Sequence, residues 1–487
     1  METKIHKNKE LSITQALIPI FFLVLLLGYN VYVFGDNALS GSNQFILLIG
    51  GAIAAIIGFF NKVSFHKMME EVANNIKSTV GAILILLMVG SLAGTWLVSG
   101  IIPTMIYYGL QILSPAIFLP ATLIICSIIS LATGSSWTTS ATVGIALIGV
   151  GEALGFDLGM VAGAVISGAY FGDKLSPMSD TTNLAPAMAG TALFTHIRYM
   201  ILTTVPTYIL TLLIFTIIGL NVEIKGDANI GSLLQDIQNT FTVSAWLFLV
   251  PLIVIGLIIK KTEPLIALLA GTLLAASFAI LFQPHIINQI VGVKTMTFES
   301  GYKGVMNAIT GEIIIPTKNK NLADLFTSGG MQKMLGTIWL IICAMVFGGI
   351  MDAIGALARI SQSLLKMANS TLGLFASTVG SCLAINITAS DQYLSIVIPG
   401  KMFAKAYQKK GLAPENLSRT LEDAGTVTSV LIPWNTCGAY QSSTLGVATL
   451  DYLPYAVFNI LSPITTLIFV AFNIKIKQLI APKTTTV

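Results

Sequence analysis

Between residues 12 and 473 the chain repeatedly runs for about twenty residues with almost no charge, near 12–34, 44–60, 78–98, 198–219, 243–259, 264–282, 336–358 and 452–473. A helix of that length crosses the roughly 30 Å hydrocarbon layer of a bilayer, so each run reads as a membrane span. The first is too long for a cleaved leader, and no small-residue cleavage site follows it. Only 10% of residues are Asp, Glu, Lys or Arg, against about 25% in soluble domains, and mean hydropathy is +0.83. These figures exclude a water-soluble globule, a disordered chain, a coiled coil and a secreted disulfide scaffold. A net charge of +4 over 487 residues is no nucleic-acid footprint. Cys126, Cys343, Cys382 and Cys437 sit in apolar surroundings without metal or redox spacing and read as packing residues.

Positive charge in short loops marks the cytoplasmic side, which places Lys4, Lys7, Lys9, Lys62, Lys67, Arg198, Lys260 and Lys261 inside. The count closes if 158–196 and 415–450 each cross once with a polar break, and if 115–150 and 371–403 each enter and return. Both termini are then cytoplasmic. In the first returning segment TGSSWTTS (133–140) interrupts the apolar sequence, and in the second NITASDQY (386–393) does so. Neither piece flanking the first tip spans comfortably with that tip inside it. Such backbone is tolerable at membrane depth only where it is buried in protein or lines a wet cavity, so both are expected to be re-entrant hairpins. The loop 283–335 falls outside despite Lys294, Lys303, Lys318, Lys320 and Lys333, because long loops escape the charge rule.

A shift of 256 residues places Ser135-Ser136-Trp137 on Asp391-Gln392-Tyr393, Cys126 on Cys382 and Leu175-x-Pro177 on Leu431-x-Pro433. The order of features recurs with opposite sidedness, which is a transporter architecture. The expected fold is therefore an all-α polytopic membrane protein of two inverted-topology repeats. Each has three spans, a re-entrant hairpin, a broken span and a final span. The repeats cover 1–220 and 243–474, with 221–242 an extracellular linker and 475–487 a cytoplasmic tail.

The chemistry concentrates in SGAYFGDKLSPMSDTTNLAP, residues 167–186. Pro177 has no N–H and disfavours helix at Ser176, so the span must break there. Freed carbonyls, with Asp173, Ser176, Asp180, Thr181, Thr182 and Asn183, offer the oxygen ligands that hard cations prefer. Charges at membrane depth are costly enough that each retained one needs a reason; for Asp173 the bland reason is neutralisation by adjacent Lys174. The later break at Pro433 offers Asn435 and Thr436. Of the preceding acids, Asp423 is expected inside and Glu422 toward cytoplasmic water. The tips add Thr133, Ser135, Ser136, Thr388, Ser390 and Asp391 as ligands, although ordinary turn chemistry also explains them. Asp352, the one acid inside an otherwise full span, is a possible proton site or a buried hydrogen-bonding group. Trp137, Tyr393 and Trp434 are cavity-wall or packing aromatics. His6, His66, His196 and His285 are dispersed, mostly at membrane edges, and form no zinc or hydrolase arrangement. No Walker A sequence indicates ATP use.

The string GDKLSPMSDTTNLAP, with TGSSWTTSATVG, ITASDQY and IPWNTCG, resembles the NhaC-type sodium/proton antiporters, a family that includes a branch exchanging malate and protons for sodium and lactate. The likeness covers essentially the whole chain. It implies a secondary transporter of the ion-transporter superfamily, a homodimer in a bacterial cytoplasmic membrane. It further implies that Asp173, Ser176, Asp180 and Thr181 belong to the ion-coupling site. Where the family tip often reads TGTSWGT, Ser135 and Thr138 replace a Thr and a Gly; the hydroxyl survives, and the space beside Trp137 narrows. The expected function is Na+/H+ antiport without a cofactor, Asp173 and Asp180 binding Na+ and H+ competitively. The alternative is Na+- or H+-coupled transport of a small carboxylate, such as malate or lactate, or of an amino acid. A channel and a membrane enzyme are more distant rivals.

Overall fold

The computed structural model describes residues 11–34, 41–222, 230–317 and 326–479; Lys4, Lys7, Lys9, Lys318, Lys320 and the end of the tail lie outside these. Helices Ile13–Phe34 (α1), Ser42–Phe60 (α2) and Phe65–Val98 (α3) open the chain, followed by Ile101–Ile112 (α4). Ser64 caps α3, whose side chain accepts from the Lys67 N–H; this starts the helix well before its apolar part. Next come Pro115–Thr133 (α5), Ser136–Thr139 (α6), a π-helical turn over Ser140–Gly144, and Ile145–Ala153 (α7). Leu158–Leu175 (α8) and Asp180–Ala189 (α9) are the two halves of the first broken helix, and Leu193–Asn221 (α10) follows.

The second half of the sequence begins with Ile230–Thr240 (α11), within the stretch expected to be a linker, and a 3-10 turn at Ala245–Phe248 that leads into Leu249–Ile259 (α12). Pro264–Phe282 (α13), Pro284–Val291 (α14) and Phe298–Thr310 (α15) precede a small antiparallel ribbon, Ile313–Ile314 (β1) with Thr327–Ser328 (β2). Gly330–Ala353 (α16), Ala356–Lys366 (α17), Thr371–Thr388 (α18) and Gln392–Lys409 (α19) lead to the second broken helix. That helix comprises Pro414–Leu421 (α20), a π-helical turn at Glu422–Thr426, a 3-10 turn at Ser429–Leu431, and Thr436–Leu445 (α21). Thr449–Tyr452 (α22) and Val457–Ala471 (α23) complete the described helices.

Among the described residues eight helices are long and apolar enough to cross a membrane, or up to ten if each of two bent pairs counts once. Two of the eight, α5 and α18, are the first arms of the expected hairpins. At 19 and 18 residues they are long enough to span on their own, at about 1.5 Å per residue. Conversely, two expected full spans are short and bent. α12 has 11 residues and meets α11 through an 83° bend, while α23 has 15 and meets the segment before it at 53°. Ser244 caps the turn at the first bend, and Pro454 stands in the 3-10 turn at the second. Asp352 lies within the long helix α16 as its penultimate residue, and that helix ends before Gly355, in the left-handed region at φ +77°.

The outside of this body is apolar and its inside partly polar, the reverse of a soluble protein. On α10 Ile209, Leu213, Ile217 and Leu220 are exposed, whereas Thr203, Thr207 and Thr211 are buried. A contiguous apolar exterior of this extent is stable against lipid, not water. The two halves of the sequence interleave. α9 buries Ala185 and Ala189 in a cluster with Phe375, Phe403, Leu417 and Leu421, while α21 packs on the first π-helical turn, α3 and α16. α5 runs tightly along α8, where a Cβ on Gly172 would stand 2.5 Å from the Ser127 carbonyl oxygen. Helix bounds recur 256 residues apart: Asp180–Ala189 matches Thr436–Leu445, and Pro115–Thr133 matches Thr371–Thr388 to within a residue. The segment after α23 folds back, the Leu479 N–H bonding the Gly411 carbonyl at 2.7 Å and Lys477 pairing with Glu415 at 2.5 Å.

Candidate functional site

Pro177 breaks the first split helix as its chemistry requires, and the four residues between α8 and α9 carry the turn. Ser179 caps α9 by accepting from the Thr182 N–H. The Thr182 hydroxyl reaches back to the carbonyls of Asp173 and Lys174, at 3.2 and 3.0 Å. It thus adds a partner to carbonyls at the end of α8, of which that of Asp173 also accepts from the Ser176 N–H, and ties the two half-helices together. Asn183 donates to the Pro177 and Ser179 carbonyls and stabilises the same turn. The first tip docks against this break. Gly134 has φ +70°, and a Cβ there would lie 2.7 Å from that of Met178, so glycine is required for both conformation and space. Beyond it, the Ser136 N–H and hydroxyl both donate to Asp173, at 3.1 and 2.7 Å.

The second tip is pinned by amides instead. Asn435 donates to the Asn386 carbonyl at 3.1 Å, and Asn386 donates to Gly425 and Thr428 at 2.7 and 3.1 Å. The Trp434 indole donates to the Ile387 carbonyl at 2.8 Å. Ser390 holds φ +59°, unusual for a residue with a Cβ, and its carbonyl accepts from the Thr436 N–H at 2.9 Å. Asp391 caps α19 by accepting from the Leu394 N–H.

Both tips and the first break converge on one cavity of about 550 Å³. Thr133, Ser135, Ser136, Asp173, Asp180, Thr181, Asp391 and Thr436 line it, with Trp137 and Tyr393. Asp173 and Asp391 are buried and Asp180 is exposed. Ser78 and Thr79 of α3, with Lys261 and Glu263 from the α12–α13 turn, complete walls that the sequence reading did not include. Ser176, Thr182, Asn183, Thr388, Ser390, Asn435 and Asp352 do not line it. Thr388 bonds back to Ala384 of its own helix. On the far side of Trp137, its ring stacks on Tyr440 at 3.9 Å between centroids.

Asp423 also lies away from this cavity, in a second polar cluster. It forms a fully buried ion pair with Lys174, so Lys174 does not neutralise its neighbour Asp173. Lys174 donates in addition to Ser462 at 3.1 Å, and Asp423 accepts from Thr203 at 3.1 Å, Ser462 at 3.2 Å and Thr466. Glu422, expected to face water, is buried, as are Arg419 and His196. The Arg419 guanidinium stacks over the Tyr199 ring at 4.6 Å, and the His196 Nδ1 lies 2.7 Å from the Ser418 hydroxyl. A pair separated by 249 residues leaves no local pattern. The signal that was present is threonine at helical spacing on apolar spans, at 203, 207 and 211 of α10, together with Ser462 and Thr466 of α23.

An apolar helical body, broken in its interior around a polar cavity, defines a multi-pass membrane transporter. The chain belongs to the Na+/H+ antiporter family, whose signature matches residues 168–474. It is 38% identical to the Na+/H+ antiporter NhaC of Alkalihalophilus pseudofirmus over 92% of this chain and 94% of that one. It is 36% identical to the malate-2H+/Na+-lactate antiporter of Bacillus subtilis over 89% of each. It is 35% identical to the arginine/ornithine antiporter ArcD of Halobacterium salinarum over 95% of this chain and 92% of that one. The relatives are antiporters, and the chain is a transporter rather than an enzyme.

Proposed function

We propose that this chain exchanges Na+ for H+ across a cell membrane by alternating access, with Asp173 and Asp180 binding the two ions in competition. The observation that carries this reading is the convergence of both polar tips and the first break on one cavity that holds Asp173, Asp180 and Asp391. Hydroxyl oxygens of Ser135, Ser136 and Thr181 supply neutral ligands beside the carboxylates, the donor set a hard cation takes. A carboxylate that gives up Na+ can take a proton, which discharges it equally well. Ser136 orients Asp173, and Thr182 makes the ends of α8 and α9 move together. In this reading the two halves are inverted-topology repeats with re-entrant tips, 221–242 is external, both termini are cytoplasmic and the protein works as a homodimer.

The volume of the cavity favours a second reading, exchange coupled to a small carboxylate or amino acid. About 550 Å³ far exceeds one dehydrated ion and falls within the range of small-molecule sites, and Lys261 and Glu263 on its wall offer partners for charged groups. Proteoliposomes separate the two. A Na+ gradient is imposed, internal pH is recorded, and malate, lactate or arginine is added in turn. Proton movement without an organic solute supports simple exchange; dependence on a solute refutes it in favour of the second reading. Asp180→Asn is expected to abolish coupling, and wild-type exchange in that variant rejects the site.

A further inference from the structure

Three elements that wall the first cavity also wall a second one, of about 370 Å³, each with residues further along its own sequence. On α3, residues between Ser78 and Ile85 line the first cavity and residues between Val89 and Leu97 the second. On α21, Thr436 at the start lines the first and Ser443 near the end the second. In the first hairpin, Trp137 of α6 lines the first and Ile148 of α7 the second. At about 1.5 Å of rise per residue, the two cavities are stacked end to end along these helices. Each has a lysine and an acid on its wall: exposed Lys261 and Glu263 for the first, exposed Lys333 and part-buried Glu152 for the second.

What parts the cavities is two rings thick. Trp137 and Tyr440 stack at 3.9 Å with 13° between their planes, and the Tyr440 hydroxyl donates to the Trp137 carbonyl at 3.0 Å. Tyr440 is fully buried and lines neither cavity. The stack joins the two halves of the sequence, the tip of the first hairpin to the last half-helix of the second break. Next to it in the chain are polar groups that a passive seal does not need. The Ser140 hydroxyl, in the π-helical turn after the tip, and both ends of the Gln441 amide are buried without a hydrogen-bond partner. An unpaired buried polar group costs about 1 to 3 kcal/mol, which apolar residues there would avoid. Groups that become wet when the seal parts bear that cost in one state only.

We infer that the second cavity is the opposite mouth of a single transport pathway, and that the Trp137–Tyr440 stack is the gate closed between the two mouths. The inference rests on the exchange reading above and adds to it the route by which the acids are reached from the other side. With the sidedness proposed there, Lys261 marks the cytoplasmic mouth and Lys333 the external one, so Asp173, Asp180 and Asp391 face the cytoplasm here. Opening slides the rings apart and separates α21 from α6. Ser136, which donates to Asp173, adjoins Trp137 in the chain, so the occupancy of the site bears directly on the gate.

The test is reaction with a membrane-impermeant maleimide on sealed right-side-out and inside-out vesicles holding the full-length chain. The four native cysteines are buried, and the parent chain gives the background. Ile85→Cys and Ala93→Cys stand about two turns apart on α3, one on each cavity. Cytoplasmic reagent should label Ile85→Cys and external reagent Ala93→Cys; labelling of both from the same side overturns the proposal. Tyr440→Ala should extend labelling of Ile85→Cys to the external reagent and let Na+ leak without counter-movement of protons, whereas Tyr440→Phe, which keeps the stack, should do neither. If Tyr440→Ala does not fold, Tyr440→Leu takes its place, and an unchanged one-sided pattern in the variant that folds refutes the gate. Labelling needs no exchange, so the two readings fail separately. Opposite-side labelling without Na+-coupled flux upholds the pathway and removes the exchange reading; same-side labelling with an inert Asp180→Asn does the reverse.

Discussion

Removing one member of the Lys174–Asp423 pair should cost far more than removing both. Each side chain is fully buried, so a survivor cannot be rescued by bulk water. Removing one partner of a buried pair costs about 3 to 5 kcal/mol, because the survivor is an uncompensated buried charge. The groups that remain around each survivor decide where in that range it falls. In Lys174→Met the Asp423 carboxylate keeps three hydroxyl donors, which lowers the cost to about 3 kcal/mol. In Asp423→Leu the ammonium keeps only Ser462 and the Phe458 ring, so the cost stays near 4 to 5 kcal/mol. The double variant leaves hydroxyls without their acceptor, although Thr203 still reaches the Met200 carbonyl at 3.3 Å, and should cost about 1 to 2 kcal/mol. Unfolding in mixed micelles titrated with a denaturing detergent measures all three.

Single costs that add to the double cost within about 0.5 kcal/mol would refute the account.

Other substitutions probe the breaks. Gly134→Ala must strain φ +70° and displace Met178; a loss of about 2 kcal/mol or more and a lower melting temperature are expected, and a wild-type melt would contradict the close tip-to-break contact. Thr182→Val removes the hydroxyl that binds two carbonyls and should cost about 1 to 3 kcal/mol and slow exchange, while Thr182→Ser should restore both; equal behaviour of the two variants in melting and Na+ flux would argue against the clamp. Asn435→Ala should destabilise by a similar amount, since it also unseats Asn386; an unchanged melt would show that the second tip is held elsewhere.

Where the sequence spoke clearly, it did so through cost. A proline beside Ser176 and carboxylates within apolar runs are expensive in a membrane, so Pro177, Asp173 and Asp180 stood out without any knowledge of their neighbours. The tips were legible for the same reason. Lengths were less so: α5 runs 19 residues to its cap at Gly134, whose N–H closes on the Ser130 carbonyl, and composition does not say whether such a helix crosses or returns. Asp352 was legible as an acid inside a span, and its place at the end of that helix was not, because apolar residues continue past it while Gly355 ends the helix. Thr203, Ser462 and Thr466 were hidden because a threonine or serine in an apolar span can satisfy itself on its own backbone, as Thr388 does. Lys174 was read against its sequence neighbour, and the partner that matters comes from another helix.

Helix bounds recur every 256 residues, but the ion pair does not. The position 256 beyond Lys174 is Val430, and the one 256 before Asp423 is Ser167. Val430 and Ser167 carry no charge, so among the described residues the recurring spacing holds this buried ion pair in one register and not in the other. Where helix bounds repeat, the charge does not, and the pair marks a point at which the two halves of the sequence differ in kind.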